Sequence, residues 1–206
     1  EWLADTYLWL HSFVENEQYI VFTLDNRGSK NRGFAFESVI HRQLGETEIK
    51  DQLKGVDYLK SLPYVDGNRI AVHGWSFGGF MASSLITRHP DVFTTAVAGG
   101  AVTDWKYYEV MYGERYMDTP KENPEGYENS RVGKYLDHLN RPLLFIHGSI
   151  DDVVVPQHLM SITRDAIKKN KFIDTFIYPM HGHGVRGSDR IHLTQQIIDY
   201  IKTNNL

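Results

Sequence analysis

The chain has 206 residues, of which 41% are hydrophobic and 23% charged, and its formal net charge is −4. This composition is that of one ordinary globular domain, so it excludes a disordered or fibrous protein, and the lack of cysteine excludes disulfides and thiol catalysis. Because no long run of like charge and no apolar stretch of about 20 residues occurs, we expect neither a nucleic-acid partner nor a membrane span.

Strand-like and helix-like segments alternate along the chain, after a helix predicted over residues 2–14. Short apolar runs rich in β-branched and aromatic residues predict strands at residues 19–24, 70–73, 94–98, 142–147 and 173–178. Apolar positions at helical spacing predict helices around residues 49–59, 77–88, 159–167 and 191–201. The alternation predicts an α/β fold with a mostly parallel sheet, helices on both faces and functional residues at the carboxyl ends of the strands.

Residues 105–141 interrupt this alternation. They are polar, rich in aromatic residues, Asn and Gly, and they contain Pro120 and Pro124. This pattern indicates an elaborated excursion between two strands rather than a linker.

The sequence GWSFG at residues 74–78 is a G-x-S-x-G motif, and it lies between a predicted strand and a predicted helix. In this context the turn holds Ser76 in a strained backbone conformation above the sheet, and we expect Gly74 and Gly78 to be needed to avoid backbone collisions. The serine would lie at a helix N-terminus, where the Phe77 N–H can donate to a developing oxyanion. A chance glycine-rich turn is the alternative.

A serine hydroxyl needs a general base and an acid that orients the base, and in this fold they follow the serine in the order Asp, His. Asp151 follows the strand predicted at 142–147, and His183 follows the one predicted at 173–178. We predict these two as acid and base, with Asp152 and His181 as the alternatives. Any one of them alone could be a solvated surface residue, but their arrangement after successive strands favours a catalytic triad.

A metal site is a second interpretation of the same region, because His147, Asp151, His181 and His183 are all metal-ligating types. It would leave the serine motif without a purpose, and no H-E-x-x-H helix is present. No predicted strand is followed by G-x-G-x-x-G, which disfavours a dinucleotide site. We therefore expect neither a metal nor a cofactor.

Six segments carry distinctive motifs: DNRGS at 25–29, HGWSFGG at 73–79, WKYYE at 105–109, YGERY at 112–116, IHGSIDD at 146–152 and HG at 183–184. Together they resemble the prolyl oligopeptidase family of serine peptidases, in its dipeptidyl peptidase IV and prolyl tripeptidyl aminopeptidase branch, over nearly the whole chain. The resemblance implies an α/β-hydrolase fold with Ser76 as nucleophile. It also favours Asp151 over Asp152 and His183 over His181.

The same resemblance implies a pocket for proline, whose flat apolar ring has no backbone N–H to donate. The residues that would line it are Phe77, Val102, Trp105, Tyr108, Tyr112 and Val154. Ordinary core packing is the alternative for each of them. Glu109, beside Tyr108, would bind the free amino terminus of the substrate, and a solvated surface position is its alternative.

The activity implied is release of N-terminal dipeptides or tripeptides by cleavage after a proline at position 2 or 3, through an acyl-enzyme. The residues at 105–116 and 153–155 slightly favour the tripeptidyl type. An acylaminoacyl peptidase or carboxylesterase with the same triad is one alternative. A non-catalytic binding protein of the same fold is another.

The resemblance further implies that residues 1–206 are a single catalytic domain, the C-terminal part of a longer chain with an upstream β-propeller. Further sheet strands, and a tyrosine that supplies a second oxyanion donor, would also lie upstream. Because loss of one such donor costs on the order of 100-fold in rate, we expect weak or no activity from the 206 residues alone. An exported bacterial enzyme, periplasmic or on the cell surface, and a possible homodimer are also implied.

Overall fold

A four-stranded parallel sheet lies at the centre of the structure, a computed structural model that describes residues 8–206. In spatial order the strands are β1 (Ala71–Trp75), β2 (Thr95–Gly99), β3 (Leu143–Gly148) and β4 (Asp174–Tyr178). All three neighbouring pairs are parallel. The carboxyl ends of the four strands therefore meet at one edge of the sheet, and the four strands predicted between residues 70 and 178 are confirmed.

The α-helices of the described residues surround this sheet. They are α1 (Leu8–Glu17), α2 (Phe34–Glu37), α3 (Glu46–Lys60), α4 (Phe77–Arg88), α5 (Val110–Met117), α6 (Pro124–Ser130), α7 (Gln157–Lys168) and α8 (Asp189–Asn204). Short 3₁₀ segments occupy Ser38–Ile40, Trp105–Tyr107 and Val132–His138. The first predicted helix began at residue 2, and its first six residues lie outside the described part of the chain.

The sheet separates two hydrophobic cores. On one face, α3, α4 and α7 pack with the Val132–His138 segment against alternate strand residues such as Ala98 and Phe145. On the other face, α8 packs against the intervening residues, among them Val97 and Leu144. Because side chains alternate between the faces of a strand and both faces are covered, β2 and β3 are buried along their whole length. The predicted α/β-hydrolase architecture is thus confirmed.

The strand predicted at residues 19–24 is wrong. In the described residues this segment is irregular, and several of its apolar side chains are substantially exposed, with Ile20 at 53%. A strand needs a hydrogen-bonded neighbour, and within the described residues β1 pairs only with β2. Phe22 and Leu24 instead pack against Gly55 of α3, where an added Cβ would lie 2.9 Å from a Leu24 methyl carbon.

The excursion at residues 105–141 packs into the hydrophobic core that contains α4 and α7. Its turns are held by side chains that bond to backbone: Asn123 Nδ2 donates to the carbonyls of Arg42 and Met117, and the Tyr127 hydroxyl donates to the Asp118 carbonyl. The excursion therefore has its own internal support and is not a flexible linker. Within residues 8–206, none of the helices combines the length and the apolar character that crossing a membrane requires.

Candidate active site

Ser76 occupies a sharp turn between β1 and α4. Its backbone angles are φ 60° and ψ −118°, which a residue with a side chain rarely adopts, and its N–H donates to the Gly99 carbonyl at 2.8 Å. Ser76 immediately precedes the first residue of α4, Phe77, whose N–H belongs to the helix's first turn and has no acceptor within the helix. The strained turn that the sequence predicts is therefore present, with the nucleophile candidate at a helix N-terminus.

The glycines of this turn differ from expectation in one respect. A Cβ on Gly74 would lie 2.3 Å from the Gly78 carbonyl oxygen, and one on Gly79 would lie 2.5 Å from the Gly99 oxygen. A Cβ on Gly78 would meet nothing within 4 Å. The expected steric requirement at Gly78 is thus wrong, because it is the backbone of Gly78, and not a side chain there, that crowds Gly74.

Asp151 and His183 are joined by a hydrogen bond. Asp151 is 3% exposed, and its Oδ2 lies 2.8 Å from His183 Nδ1. A carboxylate can only accept, so His183 Nδ1 donates the proton of this bond, and in the neutral imidazole Nε2 is then left with a free lone pair. This is the tautomer that a general base requires.

Two backbone groups hold the other oxygen of Asp151. Oδ1 accepts from the N–H groups of Val153 and Val154, both at 2.9 Å. Burial alone would raise the pKa of the Asp151 carboxyl, but the hydrogen bonds from His183, Val154 and Val153 together hold that pKa below its usual value. Asp151 is therefore ionised at neutral pH in spite of its burial.

His183 lies over the ends of β1 and β2. The Trp75 indole N–H donates to the His183 carbonyl at 2.7 Å, and a Cβ on Gly100 would lie 3.0 Å from His183 Cε1. Because Trp75 directly precedes Ser76, these contacts bring the imidazole to the strand end where the serine lies. The structure thus gathers all three predicted triad residues at one edge of the sheet.

The alternatives lie elsewhere. Asp152 is exposed, and His181 Nε2 bonds to Asp189 Oδ2 at 2.9 Å, at the start of α8. Across residues 8–206 no cluster of three or more His, Cys, Asp or Glu side chains is arranged to hold a metal ion. The geometry therefore favours Asp151 and His183 over their neighbours in sequence.

Four of the six predicted pocket residues, Phe77, Trp105, Tyr108 and Tyr112, form a connected aromatic cluster beside the serine. Trp105 stacks on Tyr112 with ring centroids 5.7 Å apart, and it meets Tyr108 edge-on at 5.5 Å and Phe77 at 5.9 Å. Burial raises the pKa of Tyr112 to about 12 and also raises that of Tyr108, so both rings are neutral. Val102 and Val154 are buried at 1% and 0% exposure.

Glu109 has a structural task that the sequence did not indicate. It is the N-cap of α5, and its Oε2 accepts from the Met111 N–H at 2.8 Å. The side chain is exposed and follows the pocket residue Tyr108 directly. A role for Glu109 in binding the substrate stays a prediction.

Sequence reasoning missed two buried histidines behind the site. His147 was considered only as a metal ligand, and His158 was not singled out. His158 Nδ1 accepts from the Thr103 N–H at 3.2 Å, the Thr103 hydroxyl donates to the His158 carbonyl at 2.8 Å, and burial lowers the pKa of His158 to about 4. His158 follows the catalytic loop by a few residues, which is the only signal that the sequence offers.

Comparison with known proteins identifies the family of the chain. A profile of the Prolyl oligopeptidase family matches residues 5–205. The chain belongs to this family. Among its relatives in the prolyl oligopeptidase family, dipeptidyl peptidase 8 of mouse and of human are each 35% identical over 192 residues, which is 90% of this chain. That alignment covers 21% of each relative, so the chain spans about a fifth of their length.

Two solved structures of the family are also similar. A protein of Bacteroides ovatus, provisionally named a dipeptidyl aminopeptidase IV, superposes with a TM-score of 0.86 at 54% identity, over 87% of this chain and 26% of that one. Porphyromonas gingivalis dipeptidyl peptidase 4 superposes with a TM-score of 0.83 at 35% identity, over the same shares. At these identities the similarity extends to sequence as well as to fold.

Proposed function

We propose that this chain carries the catalytic centre of a serine exopeptidase that releases N-terminal dipeptides by cleaving after proline. The observation that carries the proposal is the hydrogen bond of 2.8 Å between Asp151 and His183, formed beside the strained turn of Ser76. The names of the relatives support dipeptide release. Release of tripeptides is the alternative, and a comparison of Xaa-Pro with Xaa-Xaa-Pro amides distinguishes the two.

The chemistry follows from the positions of three side chains. His183 Nε2 takes the proton of the Ser76 hydroxyl while Ser76 Oγ forms a bond to the carbonyl carbon of proline. The oxyanion that results accepts a hydrogen bond from the Phe77 N–H. His183 then gives the proton to the leaving amine as the peptide bond breaks. A water molecule, deprotonated by His183, attacks the acyl-enzyme and restores Ser76.

Asp151 supports each step through His183. Its ionised carboxylate keeps the proton of the imidazole on Nδ1 and stabilises the imidazolium that forms when Nε2 takes up a proton. The backbone bonds from Val153 and Val154 keep the carboxylate aimed at the imidazole.

The aromatic cluster supports proline as the residue before the cleaved bond. The partly buried rings of Tyr108 and Tyr112, which pack on the buried Trp105, offer flat apolar surfaces, which suit a rigid ring that has no N–H to satisfy. Glu109, beside this cluster, supplies a carboxylate for a substrate's free ammonium group.

The proposal extends to the rest of the polypeptide. The relatives are about five times as long as their aligned region, which supports a catalytic domain that works with a second domain, such as the β-propeller implied by the resemblance. Export from a bacterial cell and dimer formation stay predictions.

The experiment compares the full-length natural protein with its Ser76→Ala variant on chromogenic amides of Xaa-Pro and Xaa-Xaa-Pro. Each amide is prepared with a free and with a blocked N-terminus, and Xaa-Ala amides test the need for proline. We expect release from Xaa-Pro with a free N-terminus, and a loss of about 10⁴-fold or more in kcat for Ser76→Ala.

Ser61→Ala is the matched control, because Ser61 is an exposed serine at the end of α3 and its substitution should leave kcat unchanged. Preference for Xaa-Xaa-Pro would replace dipeptide by tripeptide release. Cleavage of simple esters with no release from any proline amide would overturn the peptidase assignment.

A further inference from the structure

His147 lies directly beneath the loop that carries the proposed catalytic acid. It is the fifth residue of β3, it is 3% exposed, and its ring is on the sheet face covered by α4 and α7. His147 Nε2 is 2.7 Å from the Val154 carbonyl oxygen and 3.6 Å from Asp151 Oδ2. The mechanism above does not use this imidazole.

The bond to Val154 defines the state of the ring. A carbonyl oxygen can only accept, so His147 Nε2 carries a proton. Burial lowers the pKa of His147, which keeps the imidazole neutral at the pH where Asp151 is ionised. The ring is therefore a fixed N–H donor rather than a second base.

Val154 contacts both His147 and Asp151 through its backbone, and its side chain is one of the residues predicted to line the proline pocket. Its N–H donates to Asp151 Oδ1 at 2.9 Å, its carbonyl accepts from His147, and its fully buried side chain belongs to the core cluster that contains Trp105. Any shift of the Val154 backbone would therefore change the aim of the Asp151 carboxylate and the wall of the proposed pocket together.

We propose that His147 is a positioning residue that locks the Asp151 carboxylate and the Val154 wall of the pocket into one rigid unit. This inference rests on the proposed function, because it assigns His147 a part in how that site works. A variant that lacks the hydrogen bond from His147 to Val154 should have a lower turnover rate, because Asp151 is displaced. The same variant should have a weaker preference for proline, because Val154 is displaced.

The test compares two substitutions of His147 in the full-length natural protein. His147→Gln keeps a neutral N–H donor of similar reach, whereas His147→Leu keeps the volume and loses the donor. We expect His147→Leu to lose about 10- to 100-fold in kcat, since small displacements of catalytic groups have effects of that size, together with a lower ratio of Xaa-Pro to Xaa-Ala cleavage. His147→Gln should recover most of both.

A spectroscopic measurement makes the test independent of turnover. The His183 Nδ1 proton in its bond to Asp151 should give a far-downfield proton NMR resonance, which we expect to shift or broaden in His147→Leu and to stay near its wild-type position in His147→Gln. His73→Leu is the matched control, because it removes another histidine bond to a backbone carbonyl, the 3.0 Å contact with Val97, and should leave the resonance in place.

The outcomes separate the two proposals. An unchanged resonance and unchanged kcat in His147→Leu would overturn the positioning role, as would equal losses in both His147 variants or a shifted resonance in His73→Leu. Activity retained by Ser76→Ala would overturn the proposed function. Even then, a resonance that shifts in His147→Leu and not in His147→Gln or His73→Leu would support the positioning of Asp151 by His147.

Discussion

The loop after β3 and the aromatic segment after β2 build one site by different means. In the loop, the Asp151 carboxylate is held by three directed hydrogen bonds, each between 2.8 and 2.9 Å. In the segment, Trp105 is held by ring contacts, and its buried indole N–H has no hydrogen-bond partner among the residues that the structure describes. Directed bonds set the position and protonation of a reacting group, whereas packing sets shape and stability.

This difference leads to opposite expectations for substitutions in the two regions. Changes in the loop should alter the reaction rate more than the free energy of unfolding. Changes in the aromatic segment should alter the free energy of unfolding first, and binding of proline with it.

Asp151→Asn should lower kcat by about 10⁴-fold, because an amide cannot hold the imidazole in the required tautomer or stabilise its charged form. The change in the free energy of unfolding should be small, since the amide oxygen still accepts from Val153 and Val154. Steady-state kinetics and urea unfolding of the same preparation measure both quantities.

Asp152→Asn is the matched control for Asp151, one residue along the chain and exposed. It should change kcat by no more than about twofold, as surface substitutions usually do. Equal losses in the two variants would show that the loop's overall charge matters rather than the one hydrogen bond. A large loss of stability in Asp151→Asn would remove the contrast between the two regions.

Trp105→Ala should destabilise the protein by about 3 to 5 kcal/mol, because it leaves a large cavity among packed rings. Trp105 is 2% exposed and contacts Phe77, Phe80, Tyr108 and Tyr112. Urea unfolding measures the loss. Phe34→Ala is the control, because Phe34 is 85% exposed, and it should change the free energy of unfolding by less than about 0.5 kcal/mol. A change as small as this in Trp105→Ala would mean that the aromatic cluster does not stabilise the fold.

Glu48 links the aromatic region to pH. It is 1% exposed on α3, its Oε2 accepts from the Gly45 N–H at 3.0 Å, and Gly45 packs against Phe80 beneath the cluster. Burial raises the pKa of Glu48 to about 7 from an ordinary value of 4.5. Between pH 4.5 and about 7 the folded state therefore holds a proton on Glu48 that the unfolded state has lost. The contribution of Glu48 to the free energy of unfolding is fully present below pH 4.5 and is lost as the pH rises through about 7.

Glu48→Gln should abolish the part of this pH dependence that comes from Glu48. At pH 8 it should raise the free energy of unfolding by on the order of 1 to 3 kcal/mol. Urea unfolding from pH 5 to pH 8 measures the slope in both proteins. Asp57→Asn, on the exposed side of α3, should leave the slope unchanged. A Glu48→Gln variant with the wild-type slope would show that Glu48 is ionised in the folded protein.

Glu109→Gln should have the smallest effect. An exposed ion pair contributes little, so we expect KM for free N-terminal substrates to rise about two- to fivefold with kcat unchanged. Blocked substrates should not respond. Glu114→Gln, also exposed on α5, is the control; an equal rise there would assign the effect to the charge of the helix rather than to Glu109.

Much of the site follows from rules that act within a few residues. A G-x-S-x-G turn after a strand predicts the strained conformation of Ser76, and the parallel sheet brings the ends of successive strands to one edge, where Asp151 and His183 lie. These inferences succeed because strand, tight turn and helix are local, and a few short segments determine them.

The sequence by itself thus determined the fold class, the four paired strands and the edge where the candidate triad lies. The sequence favoured Asp151 over Asp152, but only the tertiary structure decided that the Asp151 carboxylate contacts His183, that residues 19–24 form no strand, and that His147 bonds to Val154. Each of these depends on contacts between distant parts of the chain or on the direction of a side chain, and a one-dimensional pattern specifies neither, because neighbouring residues of the same type are alike until the fold orients them.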